Sequence, residues 1–62
     1  MSEFIEITEL YSGSKTLIRK SLITRAFYDE RIECTVLEFL KGDQLCAVDD
    51  YETVKRMICD EE

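Results

Sequence analysis

The chain contains no proline and no histidine, and its only glycines are Gly13 and Gly42. With so few breakers, each glycine acts as punctuation between regular segments. The lack of histidine removes the commonest neutral zinc ligand. It also removes the usual base beside a serine or cysteine nucleophile. Two isolated glycines cannot build a GxGxxG or GxxxxGKS/T loop, so no phosphate cradle of known pattern is present. No segment approaches the ~20 apolar residues needed to span a bilayer. The opening MSEFIEITEL is acidic where a secretory signal would be basic, so a cytoplasmic chain without a signal peptide is expected.

Cysteine is present three times, as Cys34, Cys46 and Cys59, but the spacings of twelve and thirteen are not those of a CxxC motif. The three thiols read as small apolar fillers in a reducing compartment. No metal and no cofactor is expected.

What is present suits one small folded domain. A chain of about this size buries only about 60% of the surface its unfolded form exposes. Its core supplies no more than roughly 3–5 kcal/mol of net stability, so an oligomer interface would help. The 62 residues are 45% hydrophobic and 35% charged, too apolar for disorder. The formal net charge of -6 repels phosphate backbones, which argues against direct nucleic-acid binding and for a protein partner.

Each glycine lies between apolar, β-branched segments, the layout of two hairpins. Strands are expected at about 4–11, 16–19, 23–28, 33–40 and 44–48, and a helix at about 50–59. In the first strand Ile5 and Ile7 alternate with Glu6 and Thr8, while Leu10 falls out of phase. A bulge near Thr8–Glu9 would restore it to the same face. Arg19-Lys20-Ser21 is a polar break, followed by Leu22 as an anchor. In the strongest strand Thr35, Leu37 and Phe39 share one parity and Cys34, Val36 and Leu40 the other. Apolar residues on both faces imply either a central strand in a curled sheet or a second face covered by a partner. Tyr51, Val54, Met57 and Ile58 form one stripe of the helix. Asp49 is expected as its N-cap, with Glu52 reaching back in a capping box.

The candidate chemical sites are sparse. Asp49, Asp50 and Glu52 cluster, and paired carboxylates can perform acid–base work, but capping explains all three. Asp43 follows Gly42 as a turn residue, without the ligand register of a calcium loop. Cys34 and Cys46 fall in strands expected to be buried, where a thiol is inert. Nothing supports Lys20 or Lys55 as a Schiff-base lysine. No catalytic, cofactor or metal residue is assigned, no small-molecule substrate is implied, and an enzyme is not expected.

One region reverses the prevailing sign. Lys15, Arg19, Lys20 and Arg25 hold half of the chain's eight basic residues. Phe27 and Tyr28 follow, and adjacent strand residues point to opposite faces. One is expected in the core and the other as an exposed anchor of the kind that dominates interfaces. Arg19, Lys20, Arg25, Phe27 and Tyr28 are thus the candidate interface.

The order of Ile5, Ile7 and Leu10, a turn at Gly13, the pair Leu22–Ile23, then Thr35, Val36, Leu37, Phe39 and Gly42, with Glu52 and Val54 in a terminal helix, resembles the small FlbD/SwrD-like family linked to bacterial flagellar genes. It is also similar to short enterobacterial and phage proteins. The matching positions span most of the chain, and nearly all are core or turn residues. The resemblance implies a non-enzymatic accessory protein, with no active site to carry over.

The expected fold is a small α+β domain, a curled antiparallel sheet of four to five strands with one C-terminal α-helix packed on it. The expected function is protein–protein contact as an adaptor or modulator, with a homodimer suggested by the two-sided strands. The alternative is an acidic phage-type inhibitor that mimics nucleic acid and blocks a nucleic-acid-binding enzyme, lining up Glu3, Glu6 and Glu9.

Overall fold

The computed structural model describes residues 3–59. It is an α+β domain of five antiparallel strands in two sheets with one C-terminal helix. Strands β1 (Phe4–Thr8) and β2 (Lys15–Arg19) form a hairpin whose tip turns through Gly13 at φ 75°. A single 3-10 turn, Lys20–Leu22, leads into the meander β3 (Ile23–Asp29), β4 (Cys34–Phe39) and β5 (Gln44–Ala47). Helix α1 (Tyr51–Ile58) ends the described chain. The strand and helix positions expected from periodicity are present, with β1 three residues shorter than the expected 4–11.

The early end of β1 has a tertiary cause. Its register with β2 runs unbroken from Phe4 opposite Arg19 to Thr8 opposite Lys15, so the bulge expected near Thr8–Glu9 is absent. Instead the chain changes partner. Glu9 bridges to Ala47, the Leu10 N–H donates to the Cys46 carbonyl at 2.8 Å, and the Val48 N–H donates to the Thr8 carbonyl at 2.8 Å. These bonds stitch the hairpin to β5. The one register shift in the sheets lies in β3, between Ile23 and Arg25.

The core forms where the sheets and helix meet. Ile5, Ile7 and Ile18 from the hairpin, Leu37 and Ala47 from the meander and Val54 from α1 are all buried. The helix is too short to persist alone and is held by this contact. Burying one such side chain contributes about 1.5–3 kcal/mol.

β4 is the central strand, with β3 on one side and β5 on the other. Cys34, Thr35, Val36 and Leu37 are consecutive and all buried. Val36 and Cys34 lie on the opposite face from Leu37 and are covered within the single chain, so their burial requires no partner. Thr35 is the one buried polar residue among those described, and its hydroxyl donates to the Asp49 carbonyl at 2.9 Å.

The helix start differs from expectation. Asp50, not Asp49, is the N-cap residue, and its carboxylate accepts from the Thr53 hydroxyl rather than from a backbone N–H. Asp49 is drawn away because its Oδ1 accepts the Thr8 N–H at 2.7 Å, a backbone donor that β1 leaves without a strand partner. Glu52 then falls one position short of a capping box and serves as an acidic residue in the first turn, where the helix dipole favours it.

Candidate partner-binding surface

β2 decides which side chains of the hairpin face solvent. Ile18 and Thr16 stand opposite Ile5 and Ile7 and turn to the core. Lys15, Leu17 and Arg19 therefore point outward, and Leu17 is left 66% exposed. Beyond β2 lies a cleft of about 410 Å³ whose walls include Leu17, Leu22, Phe39 and Leu40. Leu40 is 64% exposed and Leu22 48%. Leu22 is thus no buried anchor. The Leu40 N–H donates to the Leu22 carbonyl at 2.9 Å, which continues the β3–β4 ladder past Ile23 and Phe39 and leaves both leucine side chains at its rim. Arg19 and Lys41 bring positive charge to the same cleft, with Asp43 the one carboxylate.

Arg19 is anchored from the side. Its guanidinium lies over the Phe4 ring, 4.9 Å from the centroid, and 3.5 Å from the Glu3 carboxylate. Both partners of that ion pair are more than half exposed, so it contributes little stability and its charge stays available.

The other candidate interface residues are placed elsewhere. Arg25 is bound by the Glu38 carboxylate and stacks on the Phe27 ring at 4.7 Å. It borders a smaller cleft, of about 180 Å³, between β3 and α1. The basic cluster read along the chain is thus divided: Lys15 and Arg19 lie on β2, Lys20 in the 3-10 turn, and Arg25 is neutralised on β3. Phe27 is half-buried, while Tyr28, on the other face, is 48% exposed. The structure does not bring these two aromatics together with Arg19.

Sequence reasoning passed over Leu17 and Leu40. A signal existed for Leu17, because Leu17 and Ile18 are adjacent in a two-stranded hairpin and only one of them can face the core. For Leu40 none existed, because its exposure depends on where the β4–β5 turn lies relative to the hairpin.

The thiols form no site. Burial, then hydrogen bonding to Cys46, pushes the Cys34 thiol up from 9.0 to about 11, so it stays protonated and unreactive at neutral pH. Cys46 also raises the phenol of exposed Tyr11, first through its charge and then through a hydrogen bond. At the β3–β4 turn, the Arg31 N–H donated to Asp29 Oδ1 at 2.9 Å holds that carboxyl below its usual range. Among the described residues no group of three or more His, Cys, Asp or Glu side chains is arranged to hold a metal ion. No helix among them is long and apolar enough to cross a membrane.

Compared with known proteins, the chain matches no family model, no curated protein and no solved structure.

Proposed function

We propose that this chain is a non-enzymatic adaptor or modulator that works in the cytoplasm by binding another protein through the leucine cleft beside β2. The observation that carries this reading is the grouping of Leu17, Leu22 and Leu40, each about half exposed or more, around one cleft rimmed by Arg19 and Lys41. Single exposed leucines are ordinary, but a contiguous apolar patch with a charged rim marks an interaction surface. The resemblance to a family of accessory proteins fits the same role. Of the interface residues expected from the sequence, Arg19 belongs to this reading, while Lys20, Arg25, Phe27 and Tyr28 do not line the cleft.

The acidic-inhibitor alternative needs Glu3, Glu6 and Glu9 to present their charges together. Glu3 stands beside Arg19, the Glu9 carboxylate accepts the Ser12 hydroxyl at 2.7 Å past the end of β1, and Glu6 lies across from Leu17, so the three carboxylates are held by different neighbours rather than presented as one row. The leucine cleft is also the surface most suited to self-association, which sedimentation of the purified chain measures.

A photo-crosslinking residue at position 17 or 40 should give a discrete adduct in cells, and Leu40→Ser should abolish the adduct formed from position 17. The same probe at position 28, at the opposite end of β3 from Ile23, which pairs with Phe39 of the cleft, should give none. Equal labelling from positions 17 and 28 would sink the proposal.

A further inference from the structure

The backbone of β2 has one edge in use and one edge open. The Lys20 N–H donates to the Glu3 carbonyl at 2.8 Å, and the Glu9 N–H to the Ser14 carbonyl at 2.9 Å. In an antiparallel ladder bonded and non-bonded pairs alternate. Ile5–Ile18 and Ile7–Thr16 are therefore bonded pairs, and the N–H and C=O groups of Lys15, Leu17 and Arg19 turn away from β1. The same alternation turns Thr8 toward β5, where its carbonyl accepts from Val48 and its N–H donates to Asp49. Among the described residues, nothing hydrogen-bonds to the outward groups of Lys15, Leu17 and Arg19.

This open edge borders the leucine cleft, which is lined by Leu17, Ile18 and Arg19 on one side and by Leu22, Phe39 and Leu40 on the other. A strand laid along β2 would enter it. Its alternate side chains would meet Phe39 and Leu40, and the others would flank Lys15, Leu17 and Arg19.

Exposed edges usually carry charges that discourage pairing. Here the charges discriminate instead. A second copy pairing β2 with β2 about Leu17 would set Lys15 opposite Arg19 at both ends, two like-charge contacts that destabilise a cross-strand pair. A strand with carboxylates at those positions meets two cations, and an apolar residue between them meets Leu17. In a chain of net charge -6 this basic edge runs against the prevailing sign.

We propose that β2 accepts an added strand, and that the strand is an extended acidic segment of another protein, with carboxylates two residues on either side of an apolar residue. This rests on the partner-binding reading of the cleft and specifies its mode and chemistry. Strand addition draws affinity from main-chain hydrogen bonds and specificity from alternate side chains.

The test uses the full chain labelled with 15N and 13C and a capped peptide of sequence serine–glutamate–valine–leucine–valine–glutamate–serine. On titration to millimolar peptide, the amides of Lys15, Leu17 and Arg19 should shift and gain exchange protection. Those of Thr16 and Ile18, already bonded to β1, should gain little. A twin peptide with lysine for both glutamates should bind roughly tenfold more weakly, because two exposed ion pairs are replaced by like-charge contacts. The Lys15→Glu/Arg19→Glu variant should reverse that preference while its spectrum stays folded. Methyl shifts at Leu22 and Leu40 without protection at Lys15, Leu17 and Arg19 would overturn strand addition but leave the cleft as a docking site. No shift at either place overturns both. Protection that appears without peptide and grows with protein concentration would assign the edge to a second copy. The same amide shifts with a single-stranded oligonucleotide would overturn the acidic-peptide assignment.

Discussion

Strands β2 and β4 are both short and antiparallel, and each carries adjacent apolar residues, yet they do opposite things. β4 is paired on both edges and covered on both faces, so Cys34 to Leu37 are buried without interruption. β2 is paired on one edge and covered on one face, so Ile18 is buried while Leu17 beside it is 66% exposed. For adjacent apolar residues, the position of the strand in the sheet decides whether the second one holds the fold, as Val36 beside Leu37, or offers a surface, as Leu17 beside Ile18. In this small domain the two tasks are separated in space. β4 supplies stability, and the outer face of β2 is left to solvent, where the proposed partner would bind at little cost to the fold.

The comparison breaks most visibly if the two strands respond alike to truncation. Leu37→Ala should cost about 3 kcal/mol through lost burial and the cavity left behind. That is most of the roughly 3–5 kcal/mol available to a domain of this size, so urea unfolding should find a midpoint moved close to zero denaturant. Leu17→Ala should shift stability by no more than about 0.5 kcal/mol, as for other exposed positions. Similar midpoints for the two variants would remove the distinction.

The next effect is confined to β4 and depends on pH. The Cys34 thiol is raised from 9.0 to about 11 in the folded state, chiefly by burial. A raised acid favours folding while it stays protonated, so its contribution is complete below about pH 9. It is lost as pH climbs toward 11, where the unfolded thiol has ionised and the folded one has not. The loss amounts to roughly 2–3 kcal/mol. Denaturation measured from pH 8 to 11 should show that decline, and Cys34→Ala should flatten it whatever its own packing cost. An unchanged slope would show that the thiol is not protected as described.

A smaller effect sharpens how the two sheets are joined. Asp49 ties β1 to the segment after β5 through the Thr8 N–H, whereas the Asp50 carboxylate accepts from the hydroxyl of exposed Thr53. Asp49→Ala leaves a part-buried donor without its partner and should cost about 1–3 kcal/mol. Asp50→Ala should cost less than about 1 kcal/mol, the low end for an N-cap. Thermal unfolding of the pair would give the reverse order if Asp49 were the true cap.

Much of the fold was legible because its signals are local. Alternation at Ile5 and Ile7, glycines at the two hairpin turns and the stripe from Tyr51 to Ile58 each need only a few neighbouring residues to be read. The acidic run 49–52 marked a helix start to within one residue. It missed which aspartate caps because the competitor for Asp49 is the Thr8 N–H, forty-one residues away. The candidate surface was legible only in part. A count of charges along the chain found Arg19 but joined it to Lys20, which does not line the cleft, and to Arg25, which Glu38 claims from the neighbouring strand. Phe27 and Tyr28 attracted notice as aromatics, while the three leucines that share a cleft are spread from position 17 to position 40.

The sequence by itself determined the order of elements, the two hairpins and the apolar face of the helix, because periodicity and turn chemistry act over a few residues. Tertiary structure alone decided that β1 leaves β2 at Thr8 to join β5, that both faces of β4 are buried within one chain, and that Leu17, Leu22 and Leu40 gather at an open edge. Those outcomes depend on which strands become neighbours, and neighbours distant in the chain are chosen by the packing of the whole domain.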